Sequence, residues 1–173
     1  RRRLLACRDA DLAPQLDEGA DPDIYAPPAT PEAAQKALTM FWITAHKGQK
    51  VLHRGMPLMA LQGQTLLRQE LIRLWYMEAT GNDCGPMSRL TIHTLTPVIR
   101  AVQQARGETA LALIGRPVRT VAEIYADIDA LCEAVADVGR SLAQKLGFAY
   151  SEALETTVRK SWHRFKTEHA ELR

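Results

Sequence analysis

The densest set of chemically useful side chains in this chain is His46-Lys47-Gly48-Gln49-Lys50-Val51-Leu52-His53-Arg54. On a helix, at about 100° per residue, His46, Lys50, His53 and Arg54 share one side, with Lys47 at its flank. Such a stripe could neutralise phosphates, so His46, Lys47 and Lys50 are the candidate nucleotide-binding residues. The competing reading is that cations collect at a helix C-terminus and in solvent for electrostatic reasons alone. Trp42, Trp75 and Tyr76 could wall a small ligand, or could simply fill a core, since they fall on apolar faces. Glu70 and Glu78 lie two turns apart on one side of a helix. Glu78 completes the candidate substrate set as a carboxylate for a cationic or hydroxylated ligand, with a solvated face as the alternative.

No complete catalytic site accompanies these residues. The chain carries no Walker-type loop and no GxGxxG. Asp9/Asp11 and Asp127/Asp129 have DxD spacing, but Asp127 and Asp129 fall within a helical pattern, where residues two apart diverge by roughly 200° and cannot chelate one ion. Cys7, Cys84 and Cys132 are far apart and form no metal-ligand spacing, which fits reduced thiols. His93 and His163 have no partner at ligand spacing. Arg164 and His169 show the R-x4-H spacing of helical ribonucleases of the HEPN class, and an HEPN-like ribonuclease is kept as an alternative function.

Composition narrows the class. The 173 residues are 46% hydrophobic and 24% charged, in the range of a globular domain with a buried core. With 22 basic and 20 acidic residues the net charge is +2, which offers no global argument for nucleic acid or for a membrane as partner. No apolar run reaches the ~18 residues of a membrane span, and no apolar signal core follows Arg1, Arg2 and Arg3, so the expected compartment is the cytoplasm. The opening without methionine leads us to expect a segment of a longer chain.

The elements that must position these residues are helices. Leu4 to Arg8 is the one place for a short strand, with a brief helical stretch around Leu12 and Leu16, and residues 17–31, with Asp21-Pro22 and Pro27-Pro28, form an extended connector. Residues 1–30 are therefore read as an N-terminal segment and linker, and 31–173 as the bundle domain. Thr30-Pro31-Glu32 caps a first helix carrying Ala34, Leu38, Phe41, Trp42, Ala45 and Leu52 to Gly55. Pro57 opens a second, with Leu58, Leu61, Leu67, Leu71, Leu74 and Trp75, stopped at Gly81 and antiparallel to the first. Ile92, Leu95, Ile99 and Val102 give one face of a short third helix interrupted by Gly107, and residues 108–119 suit either another turn or a packed loop. Thr120-Val-Ala-Glu123 is a capping box opening a long helix to Gly147, and Ser151 caps a last one with Leu154, Val158, Trp162 and Phe165 inward. The expectation is an all-α, up-and-down bundle of about five helices.

The order of these segments resembles the C-terminal helical domain of antibiotic-type nucleotidyltransferases, the aminoglycoside and lincosamide adenylyltransferase group. Leu4-Leu-Ala-Cys-Arg-Asp-Ala-Asp-Leu12 looks like the strand and turn leaving that family's catalytic domain. Phe41-Trp42, Lys47 and Arg54-Gly55 are similar to its first bundle helix, and Leu142-Ala-Gln-Lys-Leu-Gly-Phe-Ala-Tyr-Ser151 to the close of its late helix. The resemblance implies transfer of a nucleoside monophosphate, usually AMP, from a triphosphate such as ATP to the hydroxyl of a small molecule. It implies Mg held mainly by an N-terminal catalytic domain of the same chain, and this segment inactive alone. Lys47 matches a helix lysine used on the nucleotide phosphates. Ile43 stands where some members carry a glutamate base, and it cannot accept a proton. A non-enzymatic interaction or homodimerisation module is the remaining alternative.

Overall fold

A computed structural model of the protein describes residues 26–170. The expected strand, the early helical turn, Asp9, Asp11 and Cys7 lie outside the described residues. The described chain folds into five helices, α1 (Pro31–His53), α2 (Pro57–Thr80), α3 (Ile92–Ile114), α4 (Val121–Leu146) and α5 (Glu152–Glu168), with one short 3-10 turn at Met87–Arg89. They run up and down as an all-α bundle, and no sheet is present among the described residues. Only an isolated bridge, Pro28 against Asn82, ties the connector to the turn after α2.

Local chemistry sets the ends. Thr30 accepts a hydrogen bond from the Ala33 amide at 3.2 Å, and Pro31 occupies the first turn, where its missing N–H costs nothing. The capping box is reciprocal: Thr120 accepts from the Glu123 amide while the Glu123 carboxylate takes the Thr120 amide. Gly81 and Gly147 end α2 and α4 in the left-handed conformation. Ser151 stands at the start of α5 but makes no side-chain cap, contrary to expectation. Residues 108–114 resolve as helix: α3 continues to Ile114 across a kink at Gly107, whose φ of 50° and ψ of −125° are open to glycine.

α2 is the centre of the bundle, packed by α1, α3 and α4. Leu71 to Met77 are buried without a break, as a helix covered on all sides requires. α1 packs in turn on α2, α4 and α5. The core holds Phe41, Trp42, Leu71, Leu74, Trp75, Ile124, Leu131 and Trp162. Three positions expected inward face solvent instead: Leu58 is 80% exposed, Ile92 70% and Ile99 38%. Among the helices, α2 supplies most of the cover for α3, so the buried stripe rotates onto Val98, Val102, Ala110 and Leu113. Leu58 lies in the first turn of α2, next to the short turn that joins it to α1.

Candidate functional site

α1 carries the cationic stripe, and its two flanks meet different neighbours. α5 is locked onto one flank: Trp162 Nε1 donates to the Ala45 carbonyl at 2.9 Å and Ser161 Oγ donates to Gln49 Oε1 at 2.8 Å. The close approach depends on Gly48, where a Cβ would stand 3.2 Å from the Trp162 ring. As a result His46 shares a groove with Lys160, Ser161 and Arg164, and Lys50, His53 and Arg54 share the next with Phe165 and His169. Rings meet at a tilt at that end, His169 lying 4.6 Å from Phe165 and 5.1 Å from His53 between centroids.

Lys47 belongs to the opposite flank. It lines a groove of about 360 Å³ between α1, α2 and α4, floored by Leu52, Ala60, Leu67, Ile124 and Ile128. The three residues assigned to the nucleotide are therefore divided, with Lys47 on one side of α1 and His46 and Lys50 on the other. Lys47 is exposed and its ammonium has no partner among the described residues.

The four residues assigned to the substrate are not brought together either. Trp42 is buried, and it backs a small cavity of about 200 Å³ beside Leu38, Thr39, Phe148, Tyr150 and Leu154. Burial, with Glu155 adding to it, pushes the Tyr150 phenol above its usual range. Trp75 and Tyr76 are buried in α2, and the Arg106 guanidinium lies 5.6 Å from the Trp75 ring centroid. Glu78 is engaged by Arg106 and accepts from Ser141 Oγ at 2.6 Å, with Lys145 3.8 Å away. These contacts spend its acceptors on joining α2 to α3 and α4.

The remaining titratable groups serve packing. Asp127, fully buried, takes a hydrogen bond from Arg68 at 2.9 Å, while Arg68 also donates to the carbonyls of Ile114 and Arg116, holding the α3–α4 turn. Asp129 points elsewhere, to Lys166 at 2.6 Å, so the DxD pair diverges as its helical spacing demands. Arg73 forks onto both Asp83 oxygens at 2.8 and 2.7 Å, tying the turn after α2 to the helix. Burial raises the Asp83 carboxyl, but the hydrogen bonds from Arg73 and Gly85 and the Arg73 charge outweigh it and hold the group below its ordinary value. Burial pushes the Glu70 carboxyl up, against the Arg73 charge. Arg164 and His169 line adjacent grooves, Arg164 beside His46 and His169 beside His53.

Arg68–Asp127 and the Arg73–Asp83 fork were missed in the sequence, because their partners are set by folding. Lys160 and Arg164 had a visible signal, a four-residue spacing like that of His46, Lys50 and Arg54. Among the described residues no group of three or more His, Cys, Asp or Glu could hold a metal ion, and no helix is long and apolar enough to cross a membrane. Compared with known proteins, the chain matches no family model, no curated protein and no solved structure.

Proposed function

We propose that this chain is the helical cleft-wall domain of a nucleotidyltransferase that moves a nucleoside monophosphate from ATP or another triphosphate to the hydroxyl of a small molecule. The observation that supports the reading is Lys47, exposed and without a partner among the described residues, at the rim of the α1–α2–α4 groove, at the position where the resemblance places a phosphate ligand. There it would offset the negative charge that grows on the departing pyrophosphate. Metal and reactive carboxylates would come from an N-terminal catalytic domain of the same chain. The test uses the full-length product of the gene, assayed for pyrophosphate release from Mg-ATP with hydroxylated acceptors. Lys47→Ala should lower kcat tenfold or more, the scale of one charged contact of about 1.5–3 kcal/mol. A full-length product that transfers no nucleotide, or a variant with unchanged kcat, removes the proposal.

A second reading has its own observation. Met56, Leu58, Met59 and Leu66 are exposed along the first turns of α2, with Met40 and Ile43 exposed on α1. Apolar surface of this kind marks an interaction face, and a second copy of the chain is the simplest partner. Light scattering of the isolated chain decides it: a dimer that Leu58→Lys dissociates favours the module, and a monomer ends it.

A further inference from the structure

We propose that the seam between α1 and α5 binds a single nucleic-acid strand through its phosphates. The near-neutral total charge conceals a local cluster of cations without carboxylate partners. Seven described cations are paired with carboxylates, Arg68 with Asp127, Arg73 with Asp83, Arg106 and Lys145 with Glu78, Arg140 and Arg159 with Glu155, and Lys166 with Asp129, while Lys36, Lys47, Arg89, Arg116 and Arg119 have no such partner among the described residues and line neither groove of this seam. The side chains of Lys50, Arg54, Lys160 and Arg164 have no such partner among the described residues, and all four line the two grooves of this seam. Among the described residues neither groove is lined by a carboxylate. His46, His53 and His169 line the same grooves, which concentrates three of the chain's five histidines there.

Shape selects the occupant. The cations run from His46 to Arg54 over about 12 Å of helix, room for about four phosphates at the ~3.4 Å spacing of a stacked strand. Packed helices lie about 8–10 Å apart, so the furrow between them admits one strand and excludes a duplex. Both grooves are open to solvent along their length, as a continuing chain requires. At one end the tilted rings of Phe165, His169 and His53 supply aromatic faces beside the cations, and rings flanking a cationic track are how strands are held without sequence preference. The Ser161–Gln49 and Trp162–Ala45 hydrogen bonds keep the two helices in register, so the track is preformed. Lys47 faces the other flank, which makes this site independent of the transferase reading.

The experiment is fluorescence anisotropy of a labelled oligouridylate with the 173-residue chain. Four neutralised phosphates give a slope of log K against log salt near −2.8, so raising salt from about 50 to 200 mM should weaken binding about fifty-fold. Lys50→Gln, Lys160→Gln and Arg164→Gln combined should flatten that slope to about −0.7, with unchanged helical circular dichroism. An equal neutralisation elsewhere, Lys36→Gln, Arg89→Gln and Arg119→Gln, should leave the slope in place. Absence of binding at low salt, the same loss in both triple variants, competition by a duplex as strong as by the strand, or tighter binding of ATP alone would each overturn the proposal.

Discussion

The packing of α4 against α1 predicts that one substitution, glycine to alanine, has opposite signs at two helical positions. At Gly139 on α4 an added Cβ would stand 2.5 Å from Tyr150 Cε2 and 2.9 Å from Leu38 Cδ2. Carbon atoms rest about 3.5–4.0 Å apart, so the methyl must drive both neighbours back by about 1 Å or more. Neither yields cheaply: Leu38 is buried, and the Tyr150 ring lies 5.1 Å below the Arg140 guanidinium that also binds Glu152 and Glu155. Overpacking of this kind costs about 1–3 kcal/mol, and the helix preference of alanine returns up to about 1 kcal/mol. Gly139→Ala should therefore lose about 1–2 kcal/mol, a fall in Tm of about 2–8 °C for a domain of this length. At Gly63, inside α2, nothing lies within 4 Å of the added carbon, and Gly63→Ala should gain about 0.5–1 kcal/mol. Urea unfolding followed by tryptophan fluorescence and by helical circular dichroism gives both midpoints. A Gly139→Ala protein as stable as the parent, or two midpoints displaced in the same direction, would refute the packing described here.

Three further outcomes follow from the titratable groups. Asp83 has a folded value below its ordinary 3.8, so its ionised form stabilises the fold above that pH and the contribution disappears as pH falls through the folded value; Arg73→Met should flatten the acid limb of stability below about pH 4. Glu70 has the opposite sign, its folded value lying above the ordinary 4.5, so its favourable contribution is present below 4.5 and lost as pH rises; Glu70→Gln should be more stable than the parent at pH 7 and lose that advantage in acid. Burial pushes the Cys84 thiol to about 11 and the Cys132 thiol to about 12. At pH 8 the Cys84 thiolate is then about a hundredfold scarcer than at an ordinary value of 9.0, so peptide mapping after iodoacetamide should find both sites resistant in the native protein and labelled in urea.

The helices were legible because their signals are local. Thr30-Pro31 at one end of α1, Gly81 after α2, and Thr120 with Glu123 at the start of α4 each act within four residues, and the structure keeps all of them. The rotation of α3 was not legible. Ile92 and Ile99 are as apolar as Val98 and Val102, and only the placement of α2 decides which pair is covered. Gly107 reads as a stop in sequence, yet helix resumes beyond it because the bundle supplies packing for Ala110 and Leu113. Trp42, Trp75 and Glu78 are chemically suited to a ligand, but burial and the Arg106, Ser141 and Lys145 contacts assign them to the scaffold.

By itself the sequence determined an all-α chain, the ends of most helices, the absence of nucleotide-loop motifs and the cationic side of α1. Those properties depend on neighbours within a turn or two, and such neighbours are always present. Only the tertiary structure decided that Lys47 stands apart from His46 and Lys50, that Lys160 and Arg164 from a helix more than a hundred residues later complete the seam, and that the buried carboxylate Asp127 has Arg68 for its partner. A charge declares its sign in the sequence, but what neutralises it is settled by which helices pack side by side.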